Sequence, residues 1–236
     1  MSLKSIYYTK HQHLYIIYIL IIIAIIKVIN LNLNFTNYNK FFMDKKLTGA
    51  LIVAAGQGKR SQSIVPKQYL KFGKKTFLEK NIENFIHEPL IDFVLVVINK
   101  KHLDFYEKTI SKIGSSKLLP SCFGGINRSE SVKNGLTEIA NIGCKKILIQ
   151  DGARPFTSKE IIRDCIKGLD NFDVVFPGLQ IPDTLYVQKK ENNRKTIKSL
   201  GPNRDSLVRA QTPQAFRFDY IFKRHMSTRE QFTDDV

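Results

Sequence analysis

The chain has 236 residues, is 43% hydrophobic and 25% charged, and carries a formal net charge of +16. This is the length of one large domain, or of one domain with an appendage, and the composition of a folded soluble protein. Three scattered cysteines, Cys122, Cys144 and Cys165, form no CxxC pair and no zinc-spaced cluster with histidine, which excludes a zinc scaffold and fits a reducing compartment. Residues 1–42 supply +4 of the charge and the remainder +12. That surplus fits an anionic partner, and it equally fits a compositional drift toward Lys, Asn and Ile. No RRM, KH, zinc-finger or helix-turn-helix pattern accompanies it, so no nucleic-acid partner is expected.

"LYIIYILIIIAIIKVI" (14–29) is apolar until Lys27 interrupts it. It is short for a spanning helix and resembles the apolar region of a signal peptide or anchor, yet no small-residue cleavage site follows. Met43 opens "MDKKLTGALIVAAG", which suits the true start of a soluble domain. Residues 1–42 are therefore a mis-assigned start, a membrane anchor or a targeting leader. The domain is expected over 43–236, in the cytoplasm, or in an organelle stroma if the leader is a targeting sequence. A membrane partner is expected only if 14–29 is a real anchor.

"ALIVAA" (50–55) is a continuous apolar run ending at a glycine and reads as a strand buried on both faces. A helix follows over 76–87, with Phe77, Leu78, Ile82, Phe85 and Ile86 on one stripe, then a buried strand over 92–98 and a helix over 103–113. Residues 128–140 read as a helix, 146–150 as a strand, 158–169 as a helix N-capped by Ser158, and 173–178 as a strand. Strand and helix alternate, which predicts an α/β, Rossmann-like, mostly parallel sheet with helices on both faces. The alternation breaks after Pro182. "YVQKKENNRKTIKSL" (186–200) is polar, centred on a turn-like "ENN", and predicts a protruding two-stranded β-arm over about 185–202. Residues 216–226 return to a helical pattern.

Ligands of doubly wound sheets sit at the carboxyl ends of the strands, so the turn after the first strand is the place to look. Gly56 and Gly58 let backbone N–H groups approach a phosphate closely. The turn lacks the GxxxxGK[ST] pattern of a P-loop, and Ser61 breaks a GxGxxG fingerprint. What remains is AAGxGxR followed by Pro66–Lys67: a glycine turn with Lys59, Arg60 and Lys67 to meet phosphates.

"VAAGQGKR…PKQYL" resembles the nucleotidyltransferase fold, and within it the 2-C-methyl-D-erythritol 4-phosphate cytidylyltransferase family of the non-mevalonate isoprenoid pathway. "GGINRSESVKNGL" (124–136) is similar to that family's GGxxRxxSVxxGL signature, and "IQDGARPF" (149–156) to its DGARP strand end. "DTL" (183–185) and "RDSLVRAQTPQAF" (204–216) resemble its substrate-side segments. The match runs from about residue 48 to the end of the sequence.

The resemblance implies transfer of CMP from CTP to methylerythritol phosphate with release of pyrophosphate; the alternatives are a cytidylyltransferase for ribitol or another polyol phosphate, or a non-catalytic nucleotide-binding module. It implies Arg60 and Lys67 as catalytic cations, joined by Arg204, which also positions the substrate phosphate. Ala54, Ala55, Gly56, Gly58 and Lys59 would line the CTP phosphates and base. Gly124, Gly125 and Ser131 would meet the cytosine, with Arg128 ordering their loop, and Ala153 and Asp151 would sit beside the ribose. Asp151 would also be the Mg²⁺ carboxylate, the divalent cation being the implied cofactor. Arg154, Thr184, Arg204 and Thr233 would bind the polyol phosphate. Asp234 and Asp235 are expected to be solvated. A homodimer through the arm is implied as well. The family continues past its TDD-like segment with a strand, a helix and a further phosphate-positioning lysine. The sequence stops at Val236, so a fragment or a shortened gene with an incomplete polyol site is expected.

Overall fold

The structure is a computed structural model describing residues 46–56, 65–191, 194–227 and 235. Residues 1–42 and the question of their role lie outside it. The described chain begins with strand β1 (Leu47–Ala54), which enters the core through Leu47, Ala50, Leu51 and Ile52, all fully buried. A small hairpin, β2 (Lys71–Phe72) and β3 (Lys75–Thr76), precedes helix α1 (Phe77–Ile86). Thr76 starts that helix with a capping box: its hydroxyl accepts from the Glu79 N–H at 3.0 Å and Glu79 accepts from the Thr76 N–H at 3.4 Å. Then come β4 (Phe93–Ile98), α2 (Leu103–Ile110), β5 (Cys122–Phe123), α3 (Arg128–Glu138), β6 (Cys144–Asp151) and α4 (Lys159–Gly168). Ser158 caps α4, accepting from the Ile161 N–H at 3.3 Å.

The main sheet has the order β5-β4-β1-β6-β12-β7, where β7 is Val174–Val175 and β12 is Gln214–Arg217. β5, β4, β1 and β6 are parallel. From β1 the chain moves outward to β4 and β5, then returns to place β6 on the other side of β1. The order therefore reverses at β1, and a crevice opens at the carboxyl ends of β1 and β6. The register aligns those ends: Ala54 pairs with Ile98, Ile98 with Phe123, and Val53 with Asp151.

The sheet is covered on both faces. Ala50, Ile52, Ala54, Val94 and Val96 pack against Leu78, Ile82 and Phe85 of α1, Tyr106 of α2 and Ile162 and Ile166 of α4. On the other face lie α3 and α5 (Phe218–Ser227), which contact each other and the sheet. Gly135 sets how closely α3 approaches: a Cβ there would lie 2.5 Å from a methyl of Leu51 and 2.8 Å from one of Val97.

Three details differ from the expectations drawn from periodicity. Residues 173–178 divide into the short β7 and a separate β8 (Gly178–Gln180), which pairs with β11 (Val208–Ala210). Phe216 and Arg217 belong to a strand rather than a helix. β12 runs antiparallel between β6 and β7 and buries Ala215 and Phe216 completely, so the helix begins only at Phe218. The helix expected to reach 113 ends at Ile110. The arm forms as expected, from β9 (Tyr186–Glu191) and β10 (Arg194–Leu200) in antiparallel register, and the Gly201 N–H to Leu185 carbonyl bond of 2.7 Å closes its base.

Candidate active site

Three loops meet where the parallel strands end. The first is the glycine turn after β1. Ala54 and Ala55 are buried, while Gly56 is exposed. Carbonyls here have outrun the sheet and need donors. The Val53 carbonyl accepts from the Gly152 N–H at 2.9 Å. Those of Ala54 and Gly56 accept from the side-chain amide of Gln68, at 2.7 and 3.0 Å, and that of Ala55 accepts from the amide of Asn99 at 3.3 Å. With these carbonyls so committed, Ala55 and Gly56 have their N–H groups left to offer a ligand. Gly58, Lys59 and Arg60 lie outside the described residues.

Lys67, Gln68 and Tyr69 form a single 3₁₀ turn behind the glycine turn. Each residue of "KQY" has its own direction. Lys67 is exposed, Gln68 is buried against the β1 end, and the buried Tyr69 ring stacks on Phe105 with centroids 5.3 Å apart.

The second loop follows β5 and shows the opposite polarity. The Gly124 N–H donates to the Ile98 carbonyl at 2.8 Å, the Gly125 N–H to the Ser131 hydroxyl at 3.1 Å, and the Ile126 N–H to the Glu130 carboxylate at 2.8 Å. Three successive donors are spent, so the loop offers a ligand carbonyl oxygens. Gly124 has no room for a side chain, since a Cβ would lie 2.4 Å from that of Ala55 and 2.6 Å from the Ser131 oxygen. The first two loops therefore abut through Ala55 and Gly124. Ser131 is buried and its hydroxyl also donates to the Asn127 carbonyl at 2.7 Å, so it braces the loop from beneath. Asn127 caps α3 by accepting from the Glu130 N–H at 2.8 Å.

The third loop, after β6, carries Asp151, Ala153 and Arg154. Asp151 accepts from Nε of Arg128 at 3.2 Å and pairs with Nε of Arg154 at 3.1 Å. Arg154 reaches on to the Gln211 side-chain oxygen at 2.9 Å. Arg128 also bonds Asp235, which in turn lies 3.1 Å from Nε2 of His225. Burial works against the Arg128 charge, but Asp235 and Asp151 outweigh it and hold the guanidinium above its ordinary pKa, fully protonated. Asp235 is 6% exposed, which overturns the expectation of a solvated carboxylate; Asp234 and Thr233 lie outside the described residues.

The residues that pin this third loop stand out little in the sequence. Asn81 of α1 is fully buried and donates to the Gly152 carbonyl at 2.9 Å while accepting from Gln150 Nε2 at 3.1 Å. Gln150 continues to the Arg154 carbonyl at 2.7 Å and the Thr157 hydroxyl at 3.2 Å. Asn84, one turn further along α1, holds the Pro155 carbonyl at 2.9 Å. The available signal was two asparagines three apart on a helix whose apolar stripe they border.

The remaining predicted residues stand elsewhere. Thr184 and Arg204 are exposed at the base of the arm, and Arg204 donates to the Pro182 carbonyl at 2.6 Å. Among the described residues, no hydrogen bond or ion pair joins either to Asp151 or Arg154. The arm itself shows solvent Tyr186, Val187, Ile197 and Leu200, each 41–66% exposed.

The residues that build these loops lie within the span matched by a known family. The family model described as "IspD: 2-C-methyl-D-erythritol 4-phosphate cytidylyltransferase" matches residues 48–236. A protein of that name from Clostridium botulinum is 37% identical over 80% of this chain and 84% of its own. A "Bifunctional enzyme IspD/IspF" from Wolbachia pipientis is 39% identical over 79% of this chain, and the match spans only 46% of that longer protein. Among solved structures, the 4-diphosphocytidyl-2C-methyl-D-erythritol synthase of Anaerococcus prevotii superposes with a TM-score of 0.66 at 26% identity, covering 82% of this chain and 81% of its own. Sequence and fold agree, and the chain belongs to the 2-C-methyl-D-erythritol 4-phosphate cytidylyltransferase family.

Proposed function

We infer that this chain transfers CMP from CTP to 2-C-methyl-D-erythritol 4-phosphate and releases pyrophosphate, a step of the non-mevalonate route to isoprenoid precursors. A phosphate oxygen of the polyol phosphate attacks the α-phosphorus of CTP, a new P–O bond forms, and the bond to the β-phosphate oxygen breaks. The nucleophile is already ionised, so the protein's task is to gather anions and hold the attack in line.

The observation that carries the reading is the pairing of two loops of opposite polarity at one crevice. The glycine turn presents N–H donors, which suit phosphates, and Lys67 stands beside it. The Gly124–Ile126 loop presents carbonyls, which suit the exocyclic amine donor of cytosine. Uracil has an acceptor at the same place and would meet these carbonyls with repulsion. Arg60 and Lys67 neutralise the charge that builds at the α-phosphate and the leaving group. Asp151 and Ala153 lie beside the ribose.

Mg²⁺ fits the residues present. Among the described residues, no group of three or more His, Cys, Asp or Glu could cage a metal. A lone carboxylate shared with substrate phosphates is the usual manner of Mg²⁺ binding, and Asp151 retains lone pairs beyond those facing Arg128 and Arg154. When bound, the ion supplies charge neutralisation to the phosphate oxygens. In this reading Arg154 turns from Asp151 to the polyol phosphate.

Thr184 and Arg204 fit the same substrate when delivered by the arm of a second subunit, so a homodimer that exchanges arms completes the reading. An isolated ribbon with exposed apolar side chains is marginal and gains from such packing. Cytoplasmic action is part of this reading, or action in an organelle stroma should the leader be a targeting sequence. Among the described residues, no helix is long and apolar enough to cross a membrane.

The test is pyrophosphate release by the full chain with each nucleoside triphosphate and with methylerythritol or ribitol phosphate as acceptor. CTP with methylerythritol phosphate should be the preferred pair. Comparable turnover with UTP or ATP refutes the base reading, and preference for ribitol phosphate refutes the acceptor.

A further inference from the structure

The glycine turn does not hold its own shape. Three consecutive carbonyls, of Ala54 at the last strand pairing of β1 and of Ala55 and Gly56 beyond it, are each taken by a side-chain amide distant in the chain. The Gln68 amide nitrogen donates to two of them, one on each side of Ala55, at 2.7 and 3.0 Å. Asn99, just past the end of β4, takes the carbonyl between them at 3.3 Å. Asn99 is itself fixed, its Oδ1 accepting from the Lys101 N–H at 2.9 Å.

We propose that Gln68, seconded by Asn99, is a positioning residue for nucleotide phosphates: its amide turns the carbonyls of the glycine turn inward so that N–H groups face CTP, and it fixes Lys67 at a set distance from them. A peptide unit has its carbonyl and N–H on opposite sides. Releasing the carbonyls lets the peptides rotate, and a carbonyl oxygen that swings toward a triphosphate exchanges attraction for repulsion. Gln68 also follows Lys67 directly, in a turn closed by the Tyr69 N–H to Pro66 carbonyl bond of 2.8 Å. The cation and the N–H groups therefore belong to one rigid unit, joined by this amide. Gln68 is 4% exposed and cannot itself meet a ligand as a surface residue would. Its effect reaches CTP only through the backbone and through Lys67.

The inference rests on CTP being the ligand, and its test is arranged so that the two can fail separately. Gln68→Met keeps side-chain length and removes both donors. Relative to the parent, and per mole of active sites, kcat/KM for CTP should fall roughly tenfold to hundredfold, through a higher KM and a lower kcat together. KM for methylerythritol phosphate should stay within about twofold, since its contacts lie on other loops. A merely structural role would lower thermal stability and the active fraction without moving KM for CTP. Unchanged kcat/KM for CTP, or an equal rise in both KM values, overturns the proposal. Asn99→Ala is the second variant and decides the matter if Gln68→Met does not fold: a rise in KM for CTP alone supports the clamp, and no rise overturns it. Calorimetric binding of CTP–Mg²⁺ reads the same difference if the parent binds but does not turn over, a result that would count against the proposed reaction only. A parent that does not bind CTP overturns both.

Discussion

Replacing Asn81 by leucine tests the pinning of the third loop. The side chain is fully buried, and its amide is the donor for the Gly152 carbonyl at 2.9 Å. Leucine matches its size and leaves that carbonyl without this partner, at about 1–3 kcal/mol for a buried acceptor. Gln150 loses one acceptor at 3.1 Å but keeps the Arg154 carbonyl and the Thr157 hydroxyl, so its share is about 0.5–1.5 kcal/mol. The sum is about 1.5–4.5 kcal/mol, which for a domain of this size lowers Tm by roughly 3–18 °C. The loop stays attached through Asn84, so the fold should survive with Asp151 and Arg154 less well held. Thermal and urea unfolding give the stability, and pyrophosphate release at saturating CTP gives kcat. We expect kcat to fall by about tenfold or more, in line with displaced groups at a phosphoryl-transfer centre. A variant with parental Tm and parental kcat refutes this, since it would show that the loop holds its geometry without the Asn81 amide.

Three other outcomes follow. Lys67→Ala should lower kcat on the order of 10²-fold with a smaller change in CTP affinity, because a cation aimed at developing charge acts mainly in the transition state; steady-state kinetics beside equilibrium CTP binding separates the two, and Arg60→Ala should behave alike. Deleting 187–199 should yield monomers with reduced activity, and a dimer that persists in sedimentation rules the arm out as the principal contact. Burial pushes the Cys122 thiol up from 9.0 to about 11. The folded state therefore holds that proton more tightly than the unfolded chain, so its contribution to stability is intact below about pH 9 and is lost as pH rises through about 11. Native Cys122 should alkylate slowly near pH 8 and faster above about pH 10, and rapid labelling at about pH 8 contradicts the burial.

Elements whose cause is local were legible from the residues alone. An unbroken apolar run such as Ala50–Ala54 suits only a strand buried on both faces, and β1 lies between β4 and β6. The lysine-rich stretch around "ENN" cannot build a core, and it forms the arm. Ser158 announces α4 because a cap bonds within three residues of itself. The glycine-turn, GGxxRxxS and DGARP stretches could be placed at strand ends from chain order alone. What the sequence could not supply were partners chosen across space. Phe216 and Arg217 read as the start of a helix because so short a strand carries no period of its own; pairing of β12 with β6 and β7 decides their state. Asparagine and glutamine are ordinary on solvated faces, so nothing local separates Lys80 from its neighbour Asn81, or Lys67 from Gln68. Only the folded sheet brings Asn81 within reach of Gly152, 71 positions away, and Gln68 within reach of two carbonyls at the end of β1. Asp235 looked solvated for the same reason, until Arg128, 107 positions earlier, gave its charge a partner and a reason to be buried.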